Sequence, residues 1–330
     1  MGFDLTRIED VFRFLAKDFS RVERALEDEM RSPVPLIPIV GRHIALSGGK
    51  RFRPAALLLV SAALGYRGPR RVTLSVVTEY MHTATLLHDD VVDQATVRRG
   101  KPSSNVVYGN QVSVLVGDFL FARASRLMTD DGDLAVLAIY ARTLQHLTEG
   151  EVLQLAKSKD PAITEEEYLR VVFHKTASLI AAATETGAVI SGAPPAVRRK
   201  MFEYGKAVGV AFQLVDDLLD YEGTEKELGK APFADLREGK VTLPLIHALR
   251  EAAPAERERA LSALAREGGP SAREMAFVTG LVRRAGGIGY TASLARKYVT
   301  RGKRMAAALP DSEARTALLT LSDYIVSRTR

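Results

Sequence analysis

The sequence predicts an all-α fold, a bundle of about ten or more helices, and three observations carry that expectation. Apolar residues recur at helical spacing, first at Ile8, Val11, Phe12, Leu15, Phe19, Val22 and Leu26. The interruptions are helix punctuation: Gly192, Pro194-Pro195, and Thr164-Glu165-Glu166-Glu167, which has the form of a capping box. No stretch of convincing length alternates apolar and polar residues as a strand would. The 330 residues are not divided by a Pro/Gly-rich linker, so one domain over 1–330 is expected.

In order, an amphipathic helix over about residues 4–30 is broken by SPVPLIP, and a second runs to about Leu46. Ser47-Gly48-Gly49 turns into Lys50, Arg51 and Arg53, and Pro54 is tolerated in the first turn of a helix reaching about Leu64. After GYRGPR a central helix begins near Arg71 and ends in Asp89, Asp90 and Asp93; residues 101–110 read as a loop. Helices are expected over about 111–128 and 134–158, then a pair that opens at Thr164, breaks near His174 and closes at Gly192. Pro194-Pro195 starts the helix that ends in Asp216, Asp217 and Asp220. Periodicity lapses from Glu222 to Lys240, where Lys226, Lys230, Arg237 and Lys240 stand among glycines. That composition suits a mobile segment covering phosphates. Helices resume at Thr242, near Ala255, at Ser271 (with Glu274 as capping partner), near Gly286 and after Asp311. No internal repeat appears beyond the two Asp clusters.

Composition bounds the function. With 46% hydrophobic residues a sizeable core can form, and the lack of Cys excludes disulfides, thiolate metal sites and cysteine nucleophiles. The opening MGFDLTRIEDVFRF is charged throughout, unlike a signal peptide, and no run of about 18 uncharged apolar residues spans a bilayer. A cytoplasmic protein is expected. The net charge of +6 comes from 46 basic and 40 acidic residues interspersed along the chain. No basic stretch is interleaved with aromatics, so nucleic acid is not an expected partner.

Residues four apart on a helix lie one above the other. Asp89 and Asp93 therefore share a face with Asp90 beside them, and Asp216, Asp217 and Asp220 repeat those offsets. Carboxylates this close repel one another and call for a cation. Clustered oxygens suit Mg²⁺, which keeps waters and takes phosphate oxygens as its remaining ligands. One such cluster is equally a solvated acidic helix end. Two, each ending an apolar helical run, point to a polyanion held through metal ions.

Cations gather at Lys50 and Arg53, at Arg98 and Arg99, and at Lys175, Lys230 and Lys240. Singly, each is an ordinary surface residue; beside glycine turns and acidic clusters they suit phosphates, Arg as a planar fork and Lys as a point charge. His82, two turns before Asp89, fits either a ligand contact or a core histidine satisfied by a backbone carbonyl. No GxxxxGK[ST] loop or dinucleotide fingerprint follows a strand, so nucleotide hydrolysis is unsupported. Two phosphorylated substrates and a metal-assisted diphosphate leaving group are the economical chemistry.

GGKRFRP (Gly48 to Pro54), HDDVVD with RRG (His88 to Gly100), KT (Lys175, Thr176), FQLVDDLLD (Phe212 to Asp220), GK (Gly229, Lys230) and DLREGKVTLP (Asp235 to Pro244) stand in consistent order. Together they resemble the trans-isoprenyl diphosphate synthases over roughly residues 40–250. The resemblance implies an isoprenoid-synthase bundle around a central cavity. It also implies head-to-tail 1'-4 condensation of an allylic diphosphate with isopentenyl diphosphate. About three Mg²⁺ ions, with Mn²⁺ able to substitute, are implied at Asp89, Asp90, Asp93, Asp216 and Asp217, with Asp220 more peripheral. Arg98, Lys175, Lys230 and Lys240 would hold the allylic phosphates, and Gln213 and Thr176 would help fix that site. Lys50, Arg53, His82 and Arg99 would hold isopentenyl diphosphate. The allylic C–O bond ionises, the homoallylic double bond attacks, and released diphosphate takes the proton. A homodimer and transient membrane contact for product release are implied as well.

In that family the residues one to two turns before the first cluster wall the growing tail. Here Ala84 and Thr85 are small, with Met81 deeper, and HTATLLHDDVVD is similar to the medium- and long-chain members, octaprenyl and related quinone side-chain synthases. The same stripe would also suit an ordinary close helix contact at Ala84. A short-chain geranylgeranyl or farnesyl enzyme is the rival, because the floor can come from another helix near Leu115, Phe119 or Phe121. A non-catalytic partner subunit would have lost Asp or basic positions that this chain retains.

Overall fold

The computed structural model describes residues 3–45, 51–98, 100–157, 160, 162–222, 233–237, 239–266 and 269–327. Lys50, Arg99, Lys226, Gly229 and Lys230 lie outside them. The fold is all-α. Its first helices are α1 (Ile8–Glu29), α2 (Leu36–Ala45), α3 (Phe52–Ala63) and α4 (Arg70–Val92). Next come a hairpin of β1 (Val97–Arg98) and β2 (Lys101–Pro102), then α5 (Ser104–Tyr108), α6 (Asn110–Asp131) and α7 (Leu134–Lys157). After α8 (Glu165–Val172) a π-helical turn (Phe173–Ala177) leads into α9 (Ser178–Ile190), followed by α10 (Pro195–Glu222) and the short α11 (Ala234–Arg237). The chain closes with α12 (Leu243–Glu251), α13 (Pro254–Leu264), α14 (Ala272–Arg284), α15 (Gly287–Ala306) and α16 (Glu313–Ser327).

Two local expectations are corrected. Residues 101–110 are not a plain loop: Val97 pairs with Pro102 and Arg98 with Lys101, and α5 follows. Gly100, at φ +74°, supplies the left-handed turn that a two-residue hairpin needs. Elements this short carry no readable period. The expected break near His174 is instead a π-helical turn that keeps the helix running from α8 into α9.

The chain divides into two compact units. The first comprises Met1–Leu144, Leu179–Gly205 and Lys303–Leu321. Within it α4 is buried along most of its length, with Leu74, Val77, Tyr80, Met81, Ala84 and Leu87 essentially without solvent contact. Each fully buried large apolar side chain there contributes roughly 1.5–3 kcal/mol. Polar ties fix α4 at the same time. Arg71 reaches Asp18 of α1 at 2.6 Å, Tyr80 Oη donates to the Leu26 carbonyl at 2.6 Å, and Arg70 forks onto Asp131 with two 2.7 Å bonds.

The second unit comprises Gln145–Ser178, Lys206–Gly302 and Ser322–Arg330. Its core includes Val172, Leu214, Val215, Leu218, Leu243, Leu245 and Val278. The expected capping boxes are present at both sites: Thr164 with Glu167 opens α8, and Ser271 with Glu274 opens α14. Among the described residues, no helix is long and apolar enough to cross a membrane.

Candidate functional site

In the first unit, the last turns of α4 carry the first Asp cluster. Asp89 is half-buried, Asp90 is buried and Asp93 is exposed. Arg98 on β1 donates to Asp90 Oδ1 from Nε at 2.8 Å and from Nη2 at 2.5 Å. Asp90 Oδ2 is buried and has no hydrogen-bond partner. Burial pushes the Asp90 carboxyl up from its ordinary range, while the Arg98 guanidinium opposes that shift. Further back on α4, Thr85 is half-buried and donates to the His82 carbonyl at 2.8 Å; His82 itself is half-buried. Met81 and Ala84 are packed into the core. Arg53 sits half-buried in the first turn of α3, and its neighbour Arg51, at φ +45°, pairs with the buried Glu79 at 2.6 Å.

In the second unit, a cavity of about 170 Å³ is lined by Lys175, Thr176, Gln213, Asp217 and Lys240, all singled out from sequence. At the roughly 30 Å³ that a water occupies in the liquid, that volume holds about six waters. A continuous chain of hydrogen bonds crosses its wall. Thr176 Oγ1 donates to Gln213 Oε1 at 2.8 Å, Gln213 Nε2 donates to Asp217 Oδ1 at 2.8 Å, and Tyr168 Oη donates to Asp217 Oδ2. Lys175 Nζ lies 2.7 Å from Glu151 Oε1.

Local backbone geometry makes this wall. Lys175 and Thr176 ride the π-helical turn, a feature that shifts side-chain direction within an otherwise α-helical run. Two glycines let neighbouring helices approach it. A Cβ at Gly150 would lie 2.8 Å from Lys175 N, and one at Gly209 would lie 2.6 Å from Ala177 Cα. Either contact would force backbone to move.

The cavity lining holds charges of both signs, Asp217 and Asp235 with Lys157, Lys175 and Lys240. Burial pushes the Asp217 carboxyl up to about 7, with the neighbouring Asp235 charge adding to the effect and the Tyr168 and Gln213 hydrogen bonds opposing it. Burial also holds the Tyr168 phenol well above its usual value, so it donates. A carboxylate so placed gains from a bound cation, and Lys175 and Lys240 offer donors to an anion. Among the described residues, no three His, Asp or Glu side chains converge into a ready metal cage. In the first unit, the buried, unpartnered Asp90 Oδ2 is a hard oxygen that would fit Mg²⁺, which takes few protein ligands and completes its shell with water and phosphate.

The remaining assigned residues are placed as follows. Asp216 is half-buried on α10, and Asp220 is buried, with its carboxylate on backbone N–H groups of Ala234 and Asp235. Lys50, Arg99 and Lys230 are outside the described residues. Tyr168, Asp235, Gln154 and Lys157 also line the cavity and were missed. A signal existed for Tyr168, which stands seven residues before Lys175, about two turns back on the same helical run. Asp235 begins the DLREGK motif, in which the sequence alone points to Lys240.

The profile of the Polyprenyl synthetase family matches residues 35–278. The chain is 40% identical to the octaprenyl diphosphate synthase of Escherichia coli (strain K12), over 98% of this chain and 99% of that one. Among solved structures it is similar to a decaprenyl diphosphate synthase from Rhodobacter capsulatus, with TM-score 0.93, 42% identity, and 98% and 100% of the two chains covered. It is also similar to a polyprenyl synthase from Caulobacter crescentus CB15 complexed with calcium and isoprenyl diphosphate, with TM-score 0.91, 38% identity and 98% of each chain covered.

Proposed function

The chain belongs to the polyprenyl synthetase family, and from that premise we propose that it lengthens an allylic diphosphate with isopentenyl diphosphate, head to tail, to a medium- or long-chain all-trans polyprenyl diphosphate. The observation that carries this is the second-unit cavity, whose lining includes Lys175, Thr176, Gln213, Asp217 and Lys240. Long-chain products are supported by the full-length likeness to octaprenyl and decaprenyl diphosphate synthases.

In this reading Asp89, Asp90, Asp93, Asp216 and Asp217 hold Mg²⁺, which supplies neutralisation of charge on the departing diphosphate oxygens. Lys175 and Lys240, with Arg98 and Lys230, bind the allylic phosphates. Thr176 orients Gln213, and Gln213 orients Asp217. Arg53 and His82, with Lys50 and Arg99, bind isopentenyl diphosphate. The allylic C–O bond breaks, and the isopentenyl double bond supplies the electron pair of the new C–C bond. The proton lost from the isopentenyl unit goes to the released diphosphate. A cation formed in this way needs a site closed to water. The chain acts as one domain over 1–330 and as a homodimer, and it touches a membrane transiently to release product.

Incubation with labelled isopentenyl diphosphate and an allylic primer, followed by chromatography of the dephosphorylated products, tests the reading. Mg²⁺-dependent incorporation into products longer than geranylgeranyl is expected. Asp90→Ala and Asp216→Ala lower turnover by about a hundredfold or more with helical circular dichroism intact. Products that stop at geranylgeranyl overturn the long-chain assignment, and an Asp90→Ala chain at near wild-type rate overturns the catalytic one.

A further inference from the structure

Asp220 has in the second Asp cluster the offset that Asp93 has in the first, yet the two side chains sit in opposite surroundings. Asp93 is exposed, whereas Asp220 is 1% exposed. Both Asp220 carboxylate oxygens accept backbone N–H groups, Oδ1 from Ala234 at 3.2 Å and Oδ2 from Asp235 at 3.3 Å. Its own carbonyl accepts the N–H of Phe233 at 2.9 Å. Ala234 and Asp235 open α11, so their N–H groups are among those that no intrahelical carbonyl reaches. A carboxylate at that position is a favourable cap. Here it comes from a different helix. Tyr221 closes the same contact, its ring edge-on to Phe233 with centroids 5.9 Å apart.

This junction holds part of the cavity lining. The Asp235 carbonyl accepts the Lys240 N–H at 2.8 Å, and Asp235 and Lys240 both line the cavity that contains Asp217. We propose that Asp220 is a positioning residue: it caps α11 from α10, so fixing Asp235 and Lys240 at the cavity wall, and its oxygens serve backbone amides and not a metal ion. The inference rests on the prenyl-transfer reading of that cavity. It separates the two Asp clusters, which are alike in sequence, into different divisions of labour.

Substitution chemistry distinguishes a cap from a metal ligand. Both Asp220 oxygens accept here, so Asn keeps one acceptor for the two amides, whereas Ser, with a shorter side chain, and Ala leave them unmet. A Mg²⁺ ligand needs the carboxylate charge, so Asn and Ser there fail together with Ala. The full-length chain is therefore compared as wild type, Asp220→Asn, Asp220→Ser and Asp220→Ala, with Asp216→Asn as the metal-ligand control. Amide hydrogen exchange is read at residues 233–240 without metal or substrate, and kcat/KM for isopentenyl diphosphate is read across a Mg²⁺ titration. Asp220→Ala is expected to speed exchange at Phe233, Ala234 and Asp235 and to lower kcat/KM by about five- to thirtyfold. Asp220→Asn, with one acceptor left, changes both quantities by less than Asp220→Ala does, and Asp220→Ser behaves like Asp220→Ala. The half-saturating Mg²⁺ concentration moves in Asp216→Asn and stays within about twofold of wild type in the three Asp220 variants. The cap is overturned if Asp220→Asn shifts Mg²⁺ dependence as far as Asp216→Asn does, or if Asp220→Ala leaves exchange at 233–235 unaltered. A wild-type chain that incorporates no isopentenyl unit sinks the prenyl-transfer reading instead, and the exchange comparison still decides the cap.

Discussion

At Asp90 a carboxylate without solvent contact meets a guanidinium that is 31% exposed, at 2.5 Å. Removing one partner of a buried pair costs about 3–5 kcal/mol, because the other charge is left uncompensated. The partial exposure of Arg98 and the raised pKa of Asp90 both reduce that figure, so Arg98→Ala is expected to cost about 1–3 kcal/mol in metal-free protein. Adding Asp90→Asn to Arg98→Ala removes the stranded charge and recovers at least half of the loss. Urea unfolding at neutral pH with a chelator measures both steps, and equal stability of Arg98→Ala and wild type removes the pair from the energetics. The residue types at this site were legible in sequence because DDxxD carries a helical spacing. Their partners were not: whether Asp217 meets Tyr168, or Asp90 meets Arg98, depends on how elements pack, which no single period records.

Along α4 the angular positions decide which residue can wall a tail bound beside Asp89. Thr85 stands four residues before Asp89, on its face, while Ala84 is five residues before and roughly 140° away. Their burial agrees with those angles, Thr85 half-buried and Ala84 fully buried. Thr85→Phe is therefore expected to shorten the products, and Ala84→Phe to overpack the core at about 1–3 kcal/mol without shortening them. The product ladder normalised to total incorporation, read with thermal unfolding, checks this; a shortened ladder from a stable Ala84→Phe chain reverses the assignment. The termini of α8 and α14 give a second element-scale prediction. Backbone and side-chain hydrogen bonds of the capping boxes hold Glu167 and Glu274 down to about 2. A folded pKa below the unfolded one means stability that is present above about pH 4.3 and is lost as pH falls toward 2. Glu167 and Glu274 should titrate near that lower value in carboxyl NMR, and ordinary values near 4 would show the boxes open in solution. Both boxes were legible as S/T-x-x-E, whereas the π-helical turn was legible only as an irregularity, since one extra residue per turn leaves no signature in apolar spacing.

For the whole molecule, the apolar residues of α6 and α7 divide by burial. Val116, Val136 and Ile139 are consumed by the core, so they offer nothing to a partner. Leu115 at 66% exposed and Leu134 at 79% stay outside, and α7 adds Val152 at 61% and Leu155 at 54%. Scattered exposed leucines are normal on monomers, but several on two successive long helices are more than solubility favours. A homodimer covering them would bury about 1,200–2,000 Å² in total, the range of stable specific interfaces. A charge placed on an exposed leucine that the dimer desolvates is expected to cost about 2 kcal/mol or more where that leucine is a hot spot. Sedimentation at micromolar concentration is therefore expected to give twice the chain mass for the wild type. Leu115→Glu together with Leu134→Glu should shift the protein to the chain mass while its helical circular dichroism is retained. A wild-type chain that sediments as a monomer rejects the dimer, and a double variant that still sediments as a dimer places the interface on another face.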